Sequence, residues 1–252
     1  MASDPLVLGF DTSAAFCAAV LLSGDEVLAE RYEEMAKGQA ERLMVMLEEV
    51  LAEAGAGWRD LAALGVGIGP GNFTGVRISV SAARGLALGL GIPAVGVSTL
   101  EAMALGTERP VLCGIDARRD MFYAQLFNSG GQSAPVLCGL DCVPWPHQRA
   151  MGTVIGHRAA ELAEISGSTF RQPIYPPAEA IARIAWRRMQ DIDLPRPAPI
   201  YLRPADAAPP RADRNSCKPG GRSPSDGKSP ACPWRDQRTL RCETHRQFLP
   251  AF

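Results

Sequence analysis

Leu6-Val7-Leu8-Gly9-Phe10-Asp11-Thr12-Ser13 is a short apolar run that ends in three polar residues. A run of this length with polar boundaries predicts a buried strand. A second apolar run covers 16–22, and a weaker alternation follows at 27–32 after the turn Ser23-Gly24-Asp25. We therefore predict that three consecutive strands open the chain.

Two helices with a strand between them are predicted next. The segment 39–54 has an apolar stripe at helical spacing and is followed by Gly55. A strand is predicted at 64–68, before the loop Gly69-Pro70-Gly71-Asn72-Phe73. Thr74 is the predicted N-cap of a second helix that ends near residue 90.

The second half of the chain repeats this pattern less completely. Residues 94–97 are the last predicted strand of the first half. The second half then has a predicted strand at 111–115, an acidic turn from Asp116 to Asp120 and a returning strand at 121–127. Short strands near Val136 and Val154 and helices at 157–165 and 178–189 follow. This order predicts an α/β chain with a two-lobed actin-like, ribonuclease-H-like ATPase-type fold and a reduced second lobe. We predict an N-terminal lobe at 1–105, a smaller lobe at 106–204 and a disordered tail at 205–252.

Composition limits the classes of function. The chain has 252 residues, a net charge of −1 and a pI near 6.3, which argues against a dedicated nucleic-acid binder. Cys17, Cys113, Cys138 and Cys142 lie in or beside apolar runs and are expected to be reduced core residues. Neither a secretory signal nor a membrane span is readable, so we expect a cytoplasmic protein.

The tail has a different composition from the rest of the chain. Residues 205–252 contain seven prolines and nine Lys and Arg against five Asp and Glu, with no apolar period. Such a segment buries too little apolar surface to offset its ordering entropy. Its Cys217, Cys232, Cys242 and His245 match no common zinc-finger spacing.

Seven residues form a candidate vestigial nucleotide or anion site. Carboxylates at strand ends can meet Mg²⁺, and glycines before a helix N-terminus can meet phosphate. The residues are Asp11, Thr12, Ser13, Gly71, Asn72, Thr74 and Asp116. No glycine separates Asp11 from Thr12, and the loop has no Walker lysine. The alternatives are that both aspartates cap turns and that the glycine loop is a rigid turn.

No catalytic residue and no metal ligand can be assigned from the pattern. The three histidines, His147, His157 and His245, form no pair with metal-site spacing. No serine or cysteine has a recognisable base partner.

The helix at 74–90 has two usable faces. One apolar stripe should cover its own sheet, whereas small residues occupy the opposite side. Glycine inside a helix costs about 1 kcal/mol relative to alanine, so two glycines on one side need a reason. Close approach of another helix gives one, either from 39–54 or from a partner. We predict a partner interface at Leu43, Met44, Ile78, Ser81, Ala82, Gly85 and Gly89.

The chain resembles the TsaB family in several motifs that keep their order and spacing. They are Leu8 to Ser13, Gln39-Ala40-Glu41-Arg42-Leu43, Gly67 to Ile78, Gly96 to Leu100 and Ile115 to Arg118. The glycine-rich motif at 67–78 is the most specific. Gln39 departs from the pattern, because relatives often have His near this position.

The resemblance implies a dimerization subunit without catalytic activity, needed for threonylcarbamoylation of tRNA adenosine (t6A37). The implied partners are a TsaD-type catalytic subunit, a TsaE-type ATPase and, through the complex, tRNA. It implies that no cofactor is required here and that ATP and a metal act on the partner subunits. Self-association of the isolated chain is a further expectation.

Two other functions remain open at this point. The first is an ATP-binding, kinase-like enzyme of the actin-like superfamily that uses Asp11 and Asp116. The second is a metallopeptidase-like protein.

Overall fold

The computed structural model describes residues 4–143 and 152–202. Its elements in chain order are β1 (Leu6–Asp11), β2 (Phe16–Ser23), β3 (Glu26–Glu34), α1 (Gln39–Glu53), β4 (Leu61–Gly67), α2 (Phe73–Leu90), β5 (Ala94–Val97), α3 (Thr99–Ala104), β6 (Val111–Asp116), β7 (Phe122–Asn128), β8 (Gly131–Gln132), β9 (Val136–Cys138), β10 (Thr153–Gly156), α4 (Ala159–Ser166), β11 (Thr169–Arg171) and α5 (Pro177–Arg188). The predicted tail, the cysteines and histidine in it, and His147 lie outside the described residues.

The first sheet has the strand order β3-β2-β1-β4-β5. Strands β1, β2 and β3 pair antiparallel, whereas β4 and β5 continue the sheet parallel to β1. The three consecutive strands predicted at the start of the chain are therefore confirmed. The carboxyl ends of β1 and β4 lie side by side, which brings Asp11 next to the glycine loop.

The second sheet repeats this order with shorter strands. β6 pairs antiparallel with β7, which pairs in turn with β8 and β9, while β10 and β11 run parallel to β6. The chain is thus a mixed α/β protein with two sheets of the same topology, the actin-like and ribonuclease-H-like class that we predicted.

Helices cover both faces of the first sheet, as its alternating side chains require. Leu8 and Phe10 of β1 pack under α1 and α2, whereas Val7 of the same strand packs under α5. We predicted the last helix as part of the second half of the chain, but α5 packs against the first sheet. Ile181 and its alanine neighbours form the covering surface there.

Short elements and one helix start differ from the predictions. Asn72, and not Thr74, is the N-cap of α2, because its side-chain oxygen accepts hydrogen bonds from the amides of Thr74 and Gly75. The short elements α3, β8 and β11 were not predicted. Cys142 is exposed, so its prediction as a core residue is wrong, whereas Cys17, Cys113 and Cys138 are buried.

None of the helices in the described parts of the chain is long and apolar enough to cross a membrane.

Candidate functional site

The polar triplet after β1 is bound tightly to the glycine loop between β4 and α2. The Thr12 hydroxyl donates to the carbonyl oxygen of Gly75 at 2.7 Å, and the Asn72 amide donates to the carbonyl oxygen of Ser13 at 2.6 Å. Asp11, Thr12 and Ser13 are all buried. The structure therefore brings six of the seven residues of the candidate nucleotide or anion site into one place.

Contacts within the chain explain why glycine and asparagine occupy the loop between β4 and α2. A Cβ on Gly71 would overlap the backbone of Ser13, and one on Gly75 would overlap the carbonyl oxygen of Thr12. The Asn72 side chain already occupies the amides of Thr74 and Gly75, two donors that an anion at this helix start would use. This geometry supports the reading of the loop as a rigid turn that positions α2.

Asp11 is a buried carboxylate with local partners. Burial raises the pKa of its carboxyl to about 6, although hydrogen bonds from the side chain and amide of Ser13 oppose this shift. The Ser13 hydroxyl also lies 3.5 Å from the hydroxyl of Thr99. Asp11 is thus a structural group of the turn, held at the sheet edge without contact to solvent.

Asp116 is the last residue of β6 in the second sheet. Its exposed carboxylate accepts a hydrogen bond from the Arg118 amide at 2.8 Å and lies 3.8 Å from the Nε2 atom of His157. These contacts cap a turn, which is the alternative that the sequence left open. Within 4–143 and 152–202, no hydrogen bond or ion pair connects Asp116 with Asp11.

No group of three or more His, Cys, Asp and Glu side chains in the described residues is arranged to hold a metal ion.

Helix α2 presents two different faces. Val76, Val80 and Ala83 are buried in the core above the first sheet. Small or half-buried residues lie on the other side of the helix: Ile78, Ser81, Ala82, Gly85 and Gly89. Ile78 and Ala82 are also partly buried against the core that lies above the first sheet.

Within residues 4–143 and 152–202, Gly85 and Gly89 have no close neighbour that would require a glycine. A Cβ built on either residue meets no atom of the described residues within 4 Å, so within that part of the chain both positions face open space. Packing against the core of the same chain accounts for Ala82, but no contact among the described residues accounts for these two glycines. The cost of two glycines in a helix is therefore unexplained by contacts in the described parts of the chain.

Helix α1 contributes an apolar part of the surface. Met44 and Val45 are exposed, and Leu88 on α2 is 86% exposed. Leu43 differs, because it is only 1% exposed and lies in the core beneath α1, where no partner could reach it. The remaining residues of the predicted interface are exposed or half-buried, and we call them the α1/α2 face: Met44, Ile78, Ser81, Ala82, Gly85 and Gly89.

Sequence reasoning missed an aromatic cluster beside this face. Arg77 lies over the ring of Phe73 and donates a hydrogen bond from Nε to the Tyr201 hydroxyl at 2.8 Å. Phe73 and Arg77 are four residues apart and could have been paired on a helix. Tyr201 comes from the other end of the described chain, and no local pattern points to it.

The chain is similar to several known proteins. Residues 26–195 match the family model described as TsaD, tRNA N6-adenosine threonylcarbamoyltransferase. The chain is 39% identical over 122 residues to the Escherichia coli tRNA threonylcarbamoyladenosine biosynthesis protein TsaB, covering 46% of this chain and 52% of that protein. The solved structure of YeaZ from Pseudomonas aeruginosa superposes with a TM-score of 0.65 and 29% identity, covering 79% of this chain and all of that one.

The chain belongs to the TsaB family. An uncharacterised Mycobacterium tuberculosis protein is similar over a greater length, with 34% identity over 81% of this chain and 94% of the relative. The match to the named TsaB proteins is shorter, since the chain spans about half of their length.

Proposed function

We propose that this TsaB-family chain is a subunit without its own catalytic activity that supports a TsaD-type catalytic subunit in tRNA N6-threonylcarbamoyladenosine modification. Its matched relatives are named as threonylcarbamoyladenosine biosynthesis proteins. The observation that carries the proposal is the open space over Gly85 and Gly89 in a helix whose opposite side forms the core.

The α1/α2 face is suited to a pair of helices from a partner. Glycine at two positions one turn apart lets another helix backbone approach closely, and ridges of adjacent residues can fit the resulting groove. Met44 and Ile78 provide apolar contact on the side of α1. Two adjacent helices from each subunit would together form a four-helix contact.

The proposal that another subunit performs the chemistry is supported at the glycine loop. Asn72 occupies the amides at the start of α2, and Asp11 is buried against Ser13. A kinase-like role needs these groups to be available to phosphate and Mg²⁺, so the loop geometry favours the accessory role. The proposed partners are a TsaD-type subunit and a TsaE-type ATPase, and these partners would bind ATP and any metal. The chain would contact tRNA only through the complex, and the complex would act in the cytoplasm.

Co-expression with the TsaD-type subunit of the same organism tests this function. We expect the two chains to elute together in size-exclusion chromatography, and the complex with the TsaE-type ATPase to modify tRNA. The chain alone should transfer no threonylcarbamoyl group, and it can elute as a homodimer through the same face. Separate elution of the two subunits, or transfer by the purified chain alone, would contradict the proposal.

A further inference from the structure

Arg77 is held in one orientation by two aromatic side chains. Its guanidinium carbon lies 3.8 Å from the centre of the Phe73 ring, and its Nε donates to the Tyr201 hydroxyl. The two rings lie 5.4 Å apart and are about half exposed. An arginine stacked and tethered in this way has already lost much of the side-chain freedom that binding would otherwise remove.

The outer end of the guanidinium is available. Neither terminal nitrogen of Arg77 makes a hydrogen bond or ion pair with any residue in 4–143 or 152–202. Two parallel N–H donors on a planar group match the two oxygens of a carboxylate. The group is therefore an exposed, stacked fork whose Nε end is occupied and whose Nη end has no partner among the described residues.

The position of Arg77 connects this fork with the α1/α2 face. Arg77 precedes Ser81 by one helical turn, and Ser81, Gly85 and Gly89 follow at intervals of four residues along the same helix. A helix packed along these small residues passes Arg77 at the start of α2. Such a helix can place one acidic side chain over the fork.

We propose that Arg77, fixed by Phe73 and Tyr201, binds a carboxylate on the partner helix that packs on the α1/α2 face. This inference rests on the proposed function, because it assigns one chemical group to that partner. A protein carboxylate is favoured over a nucleic-acid phosphate, since binding a phosphate backbone needs several cations together. Residues 1–204 carry 17 Lys and Arg against 22 Asp and Glu, which disfavours that ligand.

A substitution that retains the positive charge distinguishes binding by the guanidinium fork from general electrostatic attraction. Arg77→Lys retains one positive charge but loses the two-nitrogen geometry and the ring stacking. Tyr201→Phe keeps the ring contact and removes only the tether to Nε. Arg84→Lys is the matched control, because Arg84 is exposed on the same helix and has no ring contact or hydrogen bond with the described residues.

Isothermal titration calorimetry of the full chain with the TsaD-type subunit measures the effect. We expect Arg77→Lys to weaken binding by about 10-fold or more and Tyr201→Phe by about 3-fold, with Arg84→Lys within 2-fold of the wild type. The thermal midpoints of all three variants should match the wild type, since these side chains are at the surface.

Each other result counts against a defined claim. Wild-type affinity for Arg77→Lys would overturn the inference and leave the proposed function intact, whereas no binding by the wild type would overturn both. Equal losses from Arg77→Lys and Arg84→Lys would also overturn it, because the loss would then not depend on the stacked and hydrogen-bonded geometry of Arg77. Loss of binding to an isolated tRNA anticodon stem-loop, with unchanged subunit affinity, would overturn it in favour of a phosphate ligand.

Discussion

The carboxylate of Asp11 is buried in the folded chain, where its ionised form costs free energy. Its carboxylate has no exposed surface, and its hydrogen bonds come from the amide and hydroxyl of Ser13. These bonds offset part of the desolvation but leave the pKa at about 6. The carboxylate is therefore a group that stabilises the turn by geometry while its ionisation works against folding.

This raised pKa predicts a defined pH dependence of stability. The pKa of the Asp11 carboxyl lies near 3.8 in the unfolded chain and near 6 in the folded one, so the folded chain binds more protons between these values. The contribution of Asp11 to the free energy of unfolding therefore falls as pH rises from about 4 to about 6, by at most about 3 kcal/mol. The contribution levels off above about pH 7, where the carboxyl is ionised in both the folded and the unfolded chain.

Asp11→Asn should remove this dependence and keep the bonds with Ser13. We expect the stability of the variant relative to the wild type to increase as pH rises through the same window, then to level off. Urea unfolding at intervals between pH 4 and pH 7.5 measures the difference. A difference that stays constant across the whole range would show that the burial of the charge has no such effect.

At the scale of elements, α2 combines a face that is fully packed with one that is open. Gly75 at its start is pressed against the backbone of Thr12, whereas Gly85 two to three turns later has free space around it. Close contact thus requires glycine at position 75, whereas no contact with the described residues requires it at position 85.

Alanine at these two glycines should have opposite effects. Gly75→Ala should lower the free energy of unfolding by about 2 kcal/mol or more, because the added methyl group meets a backbone carbonyl that cannot rotate away. Gly85→Ala should raise it by about 0.5–1 kcal/mol through helix propensity alone. Urea denaturation of both variants tests the pair, and a destabilised Gly85→Ala would mean that this position is packed.

The sequence could predict the long elements with strong periodicity, such as β1, β2, α1 and α2. Their apolar pattern is imposed by the face that each buries, so it can be read locally. The elements β11 and α3 have three and six residues, too few to establish a period. β11 exists because β10 offers it a pairing edge, which is information from elsewhere in the chain.

The candidate site residues also divide into those that a local sequence pattern could predict and those that depend on the completed fold. Asp11, Thr12 and Ser13 could be placed next to the glycine loop because strand ends of one sheet meet at one edge. Thr74 was mistaken for the cap because Asn72 carries an equally suitable side chain two residues earlier. The contact between Arg77 and Tyr201 spans 124 positions and depends on the completed fold.

At the scale of the whole molecule, two sheets share one topology but carry different helices. The second sheet has α4 between β10 and β11, as the first has α2 between β4 and β5. Helix α5 returns to cover the first sheet, which leaves the α1/α2 side of that sheet as its outward helical layer. The apolar pattern of α5 could predict that it is buried, but not which sheet it covers.

The central claim is that the α1/α2 face exists to receive another subunit. The most direct measurement is the affinity of the TsaD-type subunit for Gly85→Leu and Ala82→Arg, compared with the wild type. Ala160→Leu, an exposed position on α4, is the control for an added surface leucine. Circular dichroism should give the same folded state for all of them. We predict that both α2 variants lose about 100-fold or more in affinity, or fail to co-purify, while Ala160→Leu binds normally. Wild-type affinity of Gly85→Leu or Ala82→Arg would place the interface elsewhere and contradict the account.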